Sequence, residues 1–549
     1  MRKNTLLVLQ IASILLIFTY PTLLLARTLF TRQITGFDDA YMFARYALHW
    51  NEGEGLMVWN IGEPPIYGPT SLAYVPVVGL FMRAIPLEPG LVLPIASWTM
   101  SVLTLLVLCG ISQTLIHDRT SPPALVAVAF ISWIVLEPAF AFHSLGGMDT
   151  MFSTLAIATL TWSCLLLRQR ASVVRLLFAT LCAVVSYLVR PDNLLYAFLL
   201  PLLALPLGPG SSKRWPILFV AVFGSFVLVD ALIKNYWLGD AFPLSYYVKQ
   251  SGGPADYVAA AKWNPIVYLT EFGFVLLPGL LMLSIYTRRR HVATLAALLL
   301  PTLLTFLYYF RTIQIMGGYA RFYYPSLAPV FVCGIFVLSD TYAHDPAALR
   351  PGRDELRKAI VALLLFIGLG ALGFATYSES VWTVHPSLSR TNRLSQVLLP
   401  ELGRERIMQE VAAMARKFPH GAVLAASEVG YLGASVPELM LIDVTGLNDS
   451  RIAHHGFSAR ALLARKPDFI WLPLGDYPQT QYALLCDAEY QRSYLYFPNA
   501  YDYGVAIRKD GPFTADILLV FARNWQAAYP QVDIAASSAD PEALQLMCR

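Results

Sequence analysis

The sequence predicts an α-helical polytopic membrane protein with a C-terminal extracytoplasmic α/β domain. Three observations carry that expectation. Of 549 residues, 56% are hydrophobic and only 14% are charged, whereas a soluble domain carries about 25% charged residues. Apolar runs recur through residues 1–379, most near the length of about 20 residues that a spanning helix needs. From about Glu379 those runs stop, charge rises, and short apolar stretches alternate with helical patterns. The chain therefore divides into a transmembrane domain, 1–379, and an outer domain, 380–549.

Met1-Arg2-Lys3 precedes an apolar stretch from Thr5 to Ala26. A cleaved signal peptide has a shorter apolar core, about 7–15 residues, and a small-residue cleavage site. This stretch reads as a retained helix with a cytoplasmic N-terminus. A first outer loop, 27–90, follows. Within it, Asp39 to about Trp50 reads as an amphipathic helix. Residues 71–85 are too short to span and read as a re-entrant or interfacial helix. Spans are then expected at 91–116, 122–142, 149–167, 173–189, 192–207, 215–237, 264–286, 291–311, 320–340 and 358–379. With the first helix this makes about eleven.

The count can be checked against charge. It assigns His117/Arg119, Arg168/Arg170/Arg175, Lys213/Arg214, Arg288–Arg290 and Arg350/Arg353/Arg357/Lys358 to cytoplasmic loops, which is the positive-inside pattern. Counting 71–85 as a span would reverse every later loop. Asp230 and Lys234 lie near the outer end of their span. In the outer domain, Arg404–Lys417 has helical spacing, while 421–427, 438–443 and 468–472 read as short strands.

The net charge of +4, with no basic run longer than Arg288–Arg290, points away from nucleic acid. Cys109, Cys164, Cys182 and Cys333 lie in apolar segments and read as small hydrophobes. Cys486 and Cys548 could form a disulfide if the outer domain faces an oxidising compartment. No Cys/His cluster suggests zinc.

The polar motifs gather on the outer side. They are Asp38-Asp39, Ser144–Asp149, Arg190-Pro191-Asp192-Asn193, Gly239–Lys249 and Met316–Pro325. A polar site built from five loops on one face is the pattern of an enzyme working at a membrane surface. A polyprenyl-lipid flippase or transporter would need a polar path through the bilayer, and mid-span charge is scarce. A non-catalytic subunit of an envelope assembly complex is the third reading.

The motifs in order resemble those of GT-C-fold glycosyltransferases, and within that class the terminal β-arabinofuranosyltransferase family of mycobacterial cell-wall assembly. The resemblance covers almost the whole chain. It rests on FDDAYMFARYALHWNEGEGLMVWNIGE (Phe37–Glu63), YGPTSLAY, SLGGMDTMF, LVRPDNLLYAF, YWLGDAFPLSYYVK, GGYARFYYP and SEVGYLGASVPELMLIDVTGLND. It departs from many relatives at Gly147-Met148-Asp149-Thr150, where they carry Gly-Leu-Glu-Thr, and at Asp192, which is often Glu.

The resemblance implies a bacterial cytoplasmic-membrane enzyme with its site outside. It would take sugar, arabinofuranose in that family, from a polyprenyl-phosphate donor to a glycan or glycoconjugate acceptor. A sugar hydroxyl needs a base, and the motif implies a catalytic carboxylate at Asp38 or Asp39, with slight preference for Asp38. The bland alternative is an N-cap of the helix that begins there. No cofactor is required, although the pair could hold Mg²⁺ or Mn²⁺. Arg45 lies two turns from Asp38 on the same face and is carried as a substrate contact.

Asp149 would bind sugar hydroxyls or cap its helix. Arg190 and Asp192 would bind substrate or pair locally. Lys249 and Arg321 would hold the departing phosphate or snorkel to headgroups. Tyr323 is a further candidate contact, with an interfacial aromatic belt of Tyr246, Tyr247, Tyr323 and Tyr324 as the alternative. Trp59 and Tyr67 could stack on sugars or pack the loop. Asp443, Asn448 and Asp449 could touch acceptor or form Asx turns.

Overall fold

The computed structural model describes residues 3–32, 34–35, 37–116, 121–205, 214–250, 273–309, 320–345, 404–473, 477–498, 500–501 and 504–528. The first eleven helices are α1 (Lys3–Thr31), α2 (Asp38–Glu52), α3 (Tyr74–Ala84), α4 (Pro89–Leu115), α5 (Pro122–Leu136), α6 (Pro138–Leu145), α7 (Thr150–Gln169), α8 (Val173–Val189), α9 (Leu194–Ala204), α10 (Arg214–Leu238) and α11 (Leu244–Gln250). Helices Gly273–Tyr286, Val292–Tyr309 and Leu327–His344 complete the described bundle.

Among the described residues, six helical segments are long and apolar enough to cross a bilayer, and α5 with α6 makes a seventh if taken as one span. That is fewer than eleven, for identifiable reasons. The expected span 173–189 appears as an apolar helix of 17 residues, and the described parts of 192–207 and 264–286 form the apolar helices Pro191–Ala204 and Gly273–Tyr286, too short to be counted as spans. The expected span 358–379 lies outside the described residues. The expected span 122–142 is broken by 64° between α5 and α6. Proline explains the break: Glu137 is extended (φ −70°, ψ 137°) because Pro138 disfavours helical backbone in the residue before it, and Pro138 has no N–H to continue the ladder. The stretch at 71–85 forms α3, whose eleven residues reach about 17 Å, well short of a bilayer.

One apolar core lies inside the bundle, with α7 packed against α4, α8 and α9. By contrast, α10 is a peripheral helix with an outward apolar face that includes Ile217, Leu228, Leu232 and Trp237. Its Lys234 and Asp230 pair with each other at 2.6 Å. The Tyr187 hydroxyl on α8 also donates to Asp230 (2.8 Å), and Lys234 Nζ lies 4.9 Å from the Tyr67 ring centre. These contacts fasten α10 to α8 and to the first outer loop.

The C-terminal domain, the one expected on the outer side, holds a five-stranded sheet: β1 (Val423–Ala426), β2 (Met440–Asp443), β3 (Phe469–Trp471), β4 (Tyr494–Phe497) and β5 (Val505–Arg508), in the order β2-β1-β3-β5-β4. The three parallel strands lie within the expected stretches. The antiparallel pair β4–β5 has no counterpart among the strands expected from the sequence. A helix ending at Ser493 abuts β4 with no Gly, Pro or Asn between them to mark the change. Cys486 is in a disulfide, and its expected partner Cys548 lies outside the described residues.

A second core joins the two domains. It runs from Tyr41, Tyr46 and Trp59 to Leu432, Leu441 and Trp471. Here α2 is not a surface amphipathic helix: every residue from Ala40 to Ala47 is buried. It ends at Gly53, whose left-handed backbone (φ 91°) suits glycine and lets its N–H bond back to His49 and Trp50 carbonyls.

Candidate active site

The adjacent carboxylates at the start of α2 point to different places. Neither caps α2, whose N-cap is Phe37 and which has no side-chain cap bond. Asp38 crosses to the outer domain. Its Oδ2 accepts the Gly430 N–H (2.7 Å) and its Oδ1 the Tyr431 N–H (2.8 Å), at the start of helix Gly430–Ser435. Burial, then nearby Glu428, pushes its carboxyl up to about 8 against the pull of those two N–H bonds.

The preference for Asp38 as base is therefore corrected. Both of its oxygens are committed to backbone donors, and the side chain is enclosed between domains. Among the described residues, no group of three or more His, Cys, Asp or Glu side chains is arranged to hold a metal.

Arg45 is corrected likewise. It is fully buried, and its five N–H groups are all used. Nε donates to Trp59 O (2.7 Å), Nη1 to Gly433 O (2.8 Å) and Val436 O (3.2 Å), and Nη2 to Asn60 Oδ1 (3.0 Å) and Leu439 O (2.9 Å). No donor remains for a substrate. Asp38 and Arg45 do share a face, and that face grips the outer domain.

Asp39 turns the other way, 25% exposed, with Oδ2 3.7 Å from Arg321 Nη1. It borders a polar cluster that includes most of the other candidates. Arg190, between α8 and α9, bridges two carboxylates. Its Nη1 reaches Asp149 Oδ2 at 3.1 Å, while Nε and Nη2 reach Asp192 at 3.0 and 2.9 Å. Burial opposes the Arg190 charge, but Asp192 and Asp149 outweigh it and raise the guanidinium above its usual range. Asp149 is fully buried and makes no cap bond, because its oxygens are turned to Arg190. Around this pair, Asn193 donates to Ser153 Oγ (2.9 Å) and Ser186 O (3.1 Å), locking the α8–α9 turn to α7.

The cluster also holds cationic groups with little compensation. Arg321 is buried, yet among the described residues its Nε and Nη1 find no hydrogen-bond acceptor. Burial pulls its pKa down. The residue before it, Ala320, has φ 55°, a left-handed conformation costing a non-glycine residue about 1–2 kcal/mol. Lys249, at the end of α11, has no carboxylate within ion-pair distance among the described residues. Burial, then Arg190 and Arg321, lowers it to about 8. All three cations lie near the Phe322 ring centre: Arg321 Cζ at 5.0 Å, Lys249 Nζ at 5.1 Å and Arg190 Cζ at 5.2 Å.

Tyr323 and Tyr324 are buried, so they do not belong to an interfacial belt. Tyr323 packs on Phe306 (5.2 Å) and Tyr309 (5.4 Å), behind the cluster. Tyr247 meets the outer domain at His454 (4.4 Å between rings), and His454 Nε2 lies 2.8 Å from Asp240 Oδ1. Trp59 is buried and donates to Leu441 O (2.9 Å), a packing role. Asp443 forms an Asx turn, accepting from Thr445 N (2.9 Å) and Asn448 N (2.8 Å). Asp449 caps the helix Ser450–His455 and pairs with Arg465.

Sequence reasoning missed Phe322, Tyr309 and Asn60. Phe322 stood beside the named Arg321, but an aromatic residue within Arg-Phe-Tyr-Tyr-Pro carries no local mark of its partners. The Tyr309 hydroxyl donates to Asp192 from the end of an apolar helix. Asn60 bonds both the N–H and the carbonyl of Leu441, at 2.9 and 3.2 Å.

Comparison with known proteins adds three findings. A family described as a domain of unknown function, DUF8728, matches residues 399–528. No curated protein matches the sequence. The crystal structure of ArnT from Cupriavidus metallidurans in the apo state aligns at 10% identity and a TM-score of 0.49, covering 86% of this chain and 93% of that one.

Proposed function

We propose that this protein is a GT-C-type membrane glycosyltransferase. It moves a sugar from a polyprenyl-phosphate donor to a glycan or glycoconjugate acceptor on the outer side of a bacterial cytoplasmic membrane. The observation that carries the reading is the pairing of under-compensated cations, Arg321 and Lys249, with the accessible carboxylate of Asp39. Buried N–H groups without acceptors are costly, and a phosphate would supply those acceptors.

In the reaction, Asp39 takes the proton of the acceptor hydroxyl as its oxygen bonds to the anomeric carbon. The bond from that carbon to the phosphate oxygen breaks, and the phosphate leaves with the electron pair. Arg321 and Lys249 stabilise the charge that develops there. Arg190, saturated by Asp149 and Asp192, holds the wall of the site. Asp38 and Arg45 fix the outer domain over it. Arabinofuranose is the first sugar to test, on the strength of the motif resemblance.

The test is to incubate purified protein with a panel of polyprenyl-phosphate sugars and an acceptor glycan, and to score released polyprenyl phosphate. Release with one sugar, lost in Asp39→Asn, supports the reading. No release from any donor, with the protein folded, overturns it.

A further inference from the structure

We infer that Phe322 is the positioning residue of the anion site, its ring gathering Arg190, Lys249 and Arg321 into one cradle for the phosphate of a lipid-linked substrate. The inference rests on the function proposed above. The three cations come from separate places: the α8–α9 turn, the end of α11, and the loop before helix Leu327–His344. Like charges brought this close repel unless something compensates them. The carboxylates do so unevenly. Asp149 and Asp192 are turned to Arg190, and Asp39 stands 3.7 Å from Arg321.

What all three cations share is one phenyl ring, within 5.0–5.2 Å. An aromatic ring attracts cations to its π face, more strongly where water is excluded. Phe322 is itself 7% exposed. Its ring packs on that of Tyr309 at 5.5 Å, and the Tyr309 hydroxyl donates to Asp192. The ring is thus tied to the same carboxylate that orients Arg190.

A residue that only filled space could be replaced by any side chain of similar volume. A ring that holds cations could not. The difference should be visible in the titration of Lys249, which is faced by Asp39 from α2, by Arg190 and Asp192 from the α8–α9 turn, and by Arg321. Loss of the ring makes its charged form less favourable, so phosphate binding should fail at lower pH.

The experiment measures binding of polyprenyl phosphate to purified full-length protein in detergent between about pH 6 and 9. It compares wild type with Phe322→Leu and Phe322→Tyr, and checks folding by thermal shift. Phe322→Leu should weaken binding about tenfold and move the alkaline loss of affinity to lower pH, while Phe322→Tyr should keep both near wild type. Should the Leu variant unfold, Phe322→Met, similar in volume and flexible, takes its place. Unchanged affinity and pH profile in a folded Leu or Met variant overturn the role of Phe322 alone. So does equal weakening in a folded Tyr variant. Absence of polyprenyl phosphate binding in wild type overturns the proposed function itself.

Discussion

Asp38 and Arg45, two turns apart on α2, hold opposite ends of the same six-residue helix of the outer domain. Asp38 accepts the N–H groups of Gly430 and Tyr431, and Arg45 donates to the carbonyls of Gly433 and Val436. An acid at the amino end and a base at the carboxyl end satisfy groups that a short helix leaves unpaired. This relationship accounts for the buried position of Asp38.

Asp38→Asn and Asp39→Asn should therefore fail differently. In Asp38→Asn one oxygen becomes an NH₂ facing a backbone N–H, which should cost about 1–3 kcal/mol and loosen the outer domain. In Asp39→Asn the fold should persist while turnover falls about 10²–10⁴-fold. Thermal stability and donor turnover, measured on both variants, separate the roles. Near wild-type turnover in Asp39→Asn would remove it as the base.

Asp38 also makes a pH prediction. Its folded pKa, about 8, lies above the ordinary unfolded value of about 4. The native state then binds the proton more tightly. The contribution is complete below about pH 4 and is lost as pH rises towards 8. The melting temperature of wild type should fall more steeply across that window than that of Asp38→Asn.

Gly430→Ala should separate the domains without touching the polar cluster. A Cβ at Gly430 would lie 1.8 Å from the Asp38 carbonyl oxygen, and backbone cannot swing aside as a side chain can. We expect loss of at least about 3 kcal/mol, or cleavage of the outer domain by added protease where wild type resists. A stable, protease-resistant alanine variant would contradict this close approach.

Arg321→Ala and Lys249→Ala should raise the donor KM with little change in melting temperature. In wild type, kcat/KM should decline above about pH 8 as Lys249 loses its proton. That decline should be absent from Lys249→Ala. Wild-type donor kinetics in both variants would assign the two side chains to lipid headgroups.

A reporter fused after Arg290 should remain cytoplasmic, and one fused after Arg549 should be outside. The distribution of Arg and Lys among the loops motivates both expectations. A cytoplasmic C-terminus would put the polar cluster on the wrong side for the proposed donor.

The sequence by itself determined the helical membrane class, the C-terminal α/β domain with its three parallel strands, and the polar motifs that meet around Asp39, Arg190, Lys249 and Arg321. These follow from hydropathy and periodicity, which are local sums over neighbouring residues. Only the tertiary structure decided which carboxylate faces the cluster. Asp38 and Asp39 are adjacent on one helix, and their difference depends on Gly430 and Tyr431, nearly four hundred positions away. The same holds for Arg45, whose acceptors are mostly backbone carbonyls of the outer domain, and for Phe322, whose three cationic neighbours come from separate segments. Backbone donors and acceptors are present at every residue, so no pattern of side chains announces which of them a buried charge will find.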